Sequence, residues 1–208
     1  MTHGSAPGGG DVSAACVLAP PDPDALLADA LARDVDRAFE RVVIAYRTPI
    51  VTFVARMLRD DTRAEDVAQD VFVRAYRALH AYAPERRASL RLRPWLYAIA
   101  HNLTRNAVRD AGPLPVPLEH ADGAPRAELT DRGPGPDVLA ERGDAWTRVA
   151  RAIDGLSPAL RPAFVMRYVD DLPYDDIAGA LDQPVGTVKA AAHRGLMAVR
   201  AMLENDDD

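Results

Sequence analysis

The chain has 208 residues, of which 48% are hydrophobic, with one cysteine and a formal net charge of −6. That length accommodates one large or two small domains, and its apolar residues never run long enough to span a bilayer. Cys16 has no partner for an internal disulfide, and no basic stretch followed by an apolar block opens the chain, which predicts a cytoplasmic protein without membrane insertion.

The acidic balance is unevenly spread. Residues 36–110 hold 14 Arg against 9 acids, and residues 146–203 hold 7 basic against 6 acidic groups. The leader 1–35, the middle segment 111–145 and the tail 204–208 each carry −4. The parts expected to fold are therefore the basic ones, which permits phosphate binding, although so mild an excess predicts weak DNA binding by an isolated domain.

Residues 1–35, rich in Gly, Ala, Pro and Asp, read as a disordered acidic leader. Phe39, Val43, Tyr46, Ile50, Phe53 and Met57 then recur in steps of four and three, the signature of one long helix that Pro49 can bend without ending. Thr62-Arg63-Ala64-Glu65 fits a capping box, and Val67, Ala68, Val71, Phe72, Ala75 and Leu79 form the apolar face of the helix that follows. Asp66, Gln69, Asp70 and Arg74 lie off that face. Residues 81–93 bring Arg86, Arg87, Arg91 and Arg93 together in what reads as a flexible basic segment. A third helix begins after Pro94 and buries Trp95, Leu96, Ile99, Ala100 and Leu103, leaving His101, Asn102, Arg105, Asn106 and Arg109 as polar groups able to touch bases and phosphates. Six prolines between Pro113 and Pro136 end helical periodicity, so 111–145 reads as a semi-stiff linker able to hold two domains tens of ångströms apart.

Three short helices are expected in 154–203. Ser157-Pro158 supplies a cap and first residue for one containing Leu160, Phe164, Val165 and Tyr168, with Pro162 an oddity inside it. Tyr174-Asp175-Asp176 opens the second, with Ile177, Ala178 and Leu181 inward, and Asp182-Gln183-Pro184 breaks it. Pro184 starts the third, with Val188, Ala192, Leu196, Val199 and Leu203 inside and Gly186, Thr187, Lys189, Ala190, His193 and Arg194 outside. Small residues, a positive amino end and cationic donors suit a major groove, so the last two helices read as a helix-turn-helix; a plain three-helix packing unit with a solvated face is the bland alternative.

The runs Ala64-Glu65-Asp66-Val67-Ala68-Gln69-Asp70-Val71-Phe72, Trp95-Leu96-Tyr97-Ala98-Ile99-Ala100-His101-Asn102-Leu103 and Gly186-Thr187-Val188-Lys189 resemble, in order and spacing, the extracytoplasmic-function group of bacterial sigma factors. The resemblance covers residues 36–110 and 146–203 and implies an all-α protein with a sigma-2-like and a sigma-4-like domain. It implies a non-enzymatic subunit, without cofactor or metal, that binds core RNA polymerase and promoter DNA, with an anti-sigma factor as a further candidate partner. Asp66, Gln69, Asp70 and Phe72 fall where the family docks on the polymerase clamp, although Phe72 also fits plain core and the others a solvated face. Arg86, Arg87, Arg91, Arg93, Asn102, Arg105 and Asn106 fall where the upstream strand is melted and held, while Trp95 has the helical phase of a core residue. Gly186, Thr187, Lys189, Ala190, His193 and Arg194 fall on the −35-reading helix.

The chain departs from the family at Asn106, where relatives often carry Asp, and at Ala190-Ala191, where Ser and Arg are usual. Ala191→Arg is therefore expected to restore a groove contact. A polymerase-independent helix-turn-helix regulator would leave the 66–72 patch and the Arg-rich segment without purpose. A degenerate sigma factor that titrates a regulator would keep only the first domain's role.

Overall fold

The computed structural model describes residues 22–110 and 136–206. All the regular elements among them are helical. They are α1 (Pro23–Arg33), α2 (Val35–Leu58), α3 (Asp61–Ala81), α4 (Pro84–Ala88), α5 (Leu92–Asp110), α6 (Pro136–Gly155), α7 (Arg161–Phe164) running into a π-helical turn (Val165–Val169), α8 (Tyr174–Leu181) and α9 (Val185–Asn205).

The expectation of a disordered leader fails for its last third. Asp22 caps α1 by accepting from the Asp24 amide, Pro23 takes the first turn, and Leu27, Ala28 and Leu31 are buried. With Val35 they form a stripe packed on α2, α4 and α5. Four acids in 22–34 mask that stripe when only composition is weighed. Residues 1–21 lie outside the described residues.

Asp34 ends α1 and caps α2 through the Arg37 amide. α2 runs unbroken through Pro49 and stops at Arg59, whose φ of 55° lies in the left-handed region. Its buried stripe is Val35, Ala38, Val42, Tyr46, Ile50, Phe53, Val54 and Leu58, so Phe39, Val43 and Met57 sit on its flanks rather than at its centre. α3 starts two residues before the expected capping box: the Asp60 carboxylate accepts from the Arg63 amide, leaving Thr62 inside the helix. An Asp in extended backbone is as good a cap as Thr, and it comes first. α5 likewise starts at Leu92, which puts Pro94 in the first turn, where its missing N–H costs no helical bond. Leu92, Leu96, Tyr97, Ala100, Leu103 and Thr104 are buried there, with Trp95 and Ile99 only partly so. α2, α3 and α5 enclose the first core, in which Phe53 meets Tyr97 edge-on at 5.1 Å between ring centres.

The second domain begins before residue 146: α6 starts at Pro136, so the expected linker is helical over its last ten positions, and residues 111–135 lie outside the described residues. Pro136 as first residue is the start signal, and the prolines that break periodicity all precede or coincide with it. Residues 158–160 form a turn and α7 starts only at Arg161. Pro162 is thus a first-turn proline, not a kink in a longer helix, and Tyr168 points outward with 41% of its surface exposed. α8 is as expected and closes on Asp182 in left-handed conformation. Pro184 caps α9 rather than opening it. The α9 interior is Val188, Ala191, Ala192, Gly195 and Val199, with Leu196 and Leu203 partly buried. Gly195 is required by packing, because a Cβ there would lie 3.0 Å from Phe164 Cβ.

The two domains pack together. α5 lies along α8, and α2 touches the π-helical turn.

Candidate polymerase and nucleic-acid interfaces

On α3, Asp66, Gln69 and Asp70 are exposed, while Phe72 retains 8% of its surface. Phe72 is both core and floor. It closes a groove of about 500 Å³ rimmed by Phe39, Gln69, Val73, Tyr76 and Arg77. Val73 and Tyr76 are among the exposed large apolar residues and stand beside the acidic-amide row, a combination suited to a partner with basic and apolar groups. Their positions just off the buried stripe are the only sequence signal for them. Tyr76 is held against Phe39 at 5.1 Å and donates to Asp36 at 2.5 Å. That hydrogen bond, with help from His80, holds the Asp36 carboxyl below its ordinary range.

The Arg-rich segment is not an open loop. α4 turns within it and packs on α1. Arg86 lies over the Tyr82 ring at 3.8 Å, a cation–π contact that keeps its guanidinium close to Tyr82 and, beyond it, Trp95. This aromatic–arginine group is a surface on which an unstacked base can lie. Asn102 and Arg105 are exposed on α5, and Asn106 is half-buried. His101 is half-buried behind them with Nδ1 lacking a partner, and its burial, with the Arg105 charge beside it, lowers its pKa to about 4.

On α9, Gly186, Thr187, Lys189, Ala190, His193 and Arg194 are all exposed. Lys189 approaches the Tyr174 ring at 5.6 Å, and Arg194 folds back to the Ala190 carbonyl at 3.3 Å. A Cβ at Gly186 would meet nothing within 4 Å. The neighbouring Ala191 behaves differently from Ala190: only 4% of it is exposed. The expectation that Ala191→Arg would restore a groove contact is therefore overturned. The position faces the core of its own domain, and Ala190 alone looks outward.

Contacts between the domains were not legible in the sequence. Arg161, 3% exposed, donates to the carbonyls of Ile153, Asp154 and Leu156 in its own domain and of Arg56 across the boundary, and burial lowers its pKa to about 10. Arg59 reaches the Leu156 carbonyl at 3.4 Å, and Arg56 pairs with Asp154 at 3.7 Å. Arg93 donates to the Asp170 carbonyl, and Arg91 pairs with Asp176. Asp170 Oδ2 and the Tyr97 hydroxyl are buried nearby without a hydrogen bond of ordinary geometry. Burial pushes the Asp170 carboxyl up to about 6, against the pull of Tyr97 and Arg93, and pushes the Tyr97 phenol up as well. A cleft of about 530 Å³ remains between the domains, lined by Arg59, His101, Arg105, Arg109 and Pro158 among others.

Two family descriptions match the chain: sigma-70 region 2 over residues 42–113 and sigma-70 region 4 over residues 146–199. The RNA polymerase sigma-H factor of Pseudomonas aeruginosa is 31% identical over 87% of this chain and 94% of its own length. The ECF RNA polymerase sigma factor SigW of Bacillus subtilis is 31% identical over 81% of this chain and 90% of its own. Among solved structures, CnrH in complex with the cytosolic domain of CnrY aligns with a TM-score of 0.63 at 23% identity, covering 89% of this chain and 99% of that one, a likeness of fold. The order of the motifs, the two matched regions and these full-length relatives together establish that the chain belongs to the extracytoplasmic-function sigma factors of the sigma-70 family, the subunits that direct bacterial RNA polymerase to its promoters.

Proposed function

We propose that three separate faces of this sigma factor divide its work. Asp66, Gln69 and Asp70, with the groove floored by Phe72, dock on core polymerase. Arg86, Arg87, Arg91, Arg93, Asn102, Arg105 and Asn106 hold the melted upstream strand. Gly186, Thr187, Lys189, Ala190, His193 and Arg194 meet the −35 duplex. Extruding a base costs a few kcal/mol, and the stacked Arg86–Tyr82 pair with the neighbouring arginines is suited to offset it. In this reading the chain is a non-catalytic subunit that acts in the cytoplasm beside the polymerase.

The observation that carries this reading furthest is Gly186. It sits in ordinary helical backbone with open space around it, so neither strain nor packing demands glycine there. Glycine is a poorer helix former than alanine, less so in the first turn where Gly186 lies than in a helix interior, and close approach of backbone to a ligand is a reason to keep it. Run-off transcription with purified core polymerase on a genomic promoter library tests the whole assignment. Gly186→Leu should leave folding and core binding intact and abolish selection of −35 elements. Neutralising Arg86 and Arg87 should impair fully paired promoters and be rescued by a pre-melted bubble; failure of the bubble to rescue would refute the melting role.

A further inference from the structure

The cleft of about 530 Å³ beside α5 has the make-up of a small-ligand site, a concave and largely apolar wall with a few convergent polar groups. Met57, Val108, Pro158 and Pro162 supply the apolar part, and Val108 keeps 43% of its surface exposed there. His101 adds a ring that is neutral at pH 7, because burial and the Arg105 charge lower its pKa to about 4. The remaining charge in the lining is all of one sign: every other ionisable side chain in it is an arginine.

Arginines gathered around an apolar hollow without an acid repel one another until an anion joins them. Arg161 is spent on main-chain carbonyls. Arg105 is exposed and has neither an ion pair nor a hydrogen bond among the described residues. Arg109 meets its neighbour Asp110 at 3.5 Å, where both are exposed at the helix end. Arg59 is the most informative. It ends α2 with a φ of 55°, in the left-handed conformation that glycine or asparagine usually supplies. The backbone gains nothing from an arginine there, so the side chain accounts for its presence, and its 3.4 Å bond to the Leu156 carbonyl occupies one of several guanidinium donors.

We propose that this cleft is a binding site for a small organic anion with an apolar body: the body lies on Met57, Val108 and the Pro158 and Pro162 wall, and Arg59, Arg105 and Arg109 take its carboxylate or phosphate. A guanidinium presents paired donors that match either head group. An uncharged guest would leave the arginines without a counter-charge, and a bare ion would leave the apolar wall wet. The inference does not rest on the assignment of Arg105 and Asn106 to the melted strand, because binding is measured without DNA.

The test titrates the full chain calorimetrically at low salt with decanoate and, in parallel, with decyl phosphate, each below its micellar concentration. The tighter of the two identifies the head group and should bind about tenfold more tightly than decanol, which lacks the charge, and than inorganic phosphate, which lacks the body. It should also shift the His101 ring signal in the proton NMR spectrum, identified by its loss in His101→Gln. Val108→Asp, and separately Arg105→Gln with Arg109→Gln, change only exposed positions and should each weaken binding about tenfold. Ile44→Asp, at an apolar position that is 73% exposed on α2 and outside the cleft, should leave binding unchanged. The proposal is overturned if neither anion binds, if decanol binds as well as they do, if the His101 signal stays in place, or if Ile44→Asp weakens binding as much as Val108→Asp. Should the arginine pair not fold, Val108→Asp decides alone.

Discussion

Placing an arginine at Ala190 or at Ala191 should produce opposite results, although the two are adjacent on the same helix. Ala191 is 4% exposed on the inner face of α9, beside Val188, Ala192 and Gly195, in a layer already so tight that a methyl at Gly195 would press on Phe164. Ala191→Arg adds a long side chain and a charge to that layer. Overpacking costs about 1–3 kcal/mol and burying an unpaired polar head a comparable amount, and snorkelling of the head toward the nearby surface recovers part of it. The expected net loss is about 3 kcal/mol, a sizeable share of a domain stability of about 5–15 kcal/mol and well within what urea denaturation resolves. Ala190→Arg stays in solvent, so its effect on stability should lie within about 0.5 kcal/mol, and by adding one phosphate contact it should steepen the salt dependence of duplex binding by about one unit. Urea denaturation of each variant, followed by duplex binding at two salt concentrations, measures both effects. An Ala191→Arg protein as stable as the unsubstituted chain, or an Ala190→Arg protein that loses stability, would show that the phase assigned to α9 is wrong.

Gln69→Lys with Asp70→Lys, at two exposed positions, should leave the melting temperature nearly unchanged and weaken core binding at least tenfold in a direct titration. Arg161→Lys should cost about 2–3 kcal/mol in urea unfolding, since an ammonium cannot reach the set of carbonyls that the guanidinium fork satisfies. Acid stability should split two single variants. His101 has its folded pKa lowered from 6.5 to about 4, so on its own it removes stability as pH falls through that window; Asp170 is raised from 3.8 to about 6, so on its own it adds stability as pH falls through its window. The two oppose one another. Asp170→Asn should therefore lose stability on acidification from about pH 7 to 4 relative to the unsubstituted chain, and His101→Gln should gain it, with parallel urea midpoints across that range as the refuting result.

Local signals carried far in this chain. Helix stripes at steps of three and four, the acid-rich start of α8 and the break at Asp182 act within one turn of backbone, and so α2, α3, α5, α8 and α9 were legible without a structure. So was the exposure of Gln69, Asp70, Asn102 and the outer face of α9, because a polar group off an apolar stripe must face water or a partner. Other features depend on residues distant in sequence. α1 hides in an acidic segment and is fixed by packing on three later helices. Ala190 and Ala191 are chemically identical, and only the packing of α9 on its own domain makes one a surface residue and the other core. Arg161 looks like any surface cation until it reaches the Arg56 carbonyl 105 residues away, and Arg93 looks like a free DNA contact until Asp170, 77 residues on, takes it up. Periodicity reports which face of a helix is apolar. What covers that face, and which charges lie across from it, is decided only when the two domains come together.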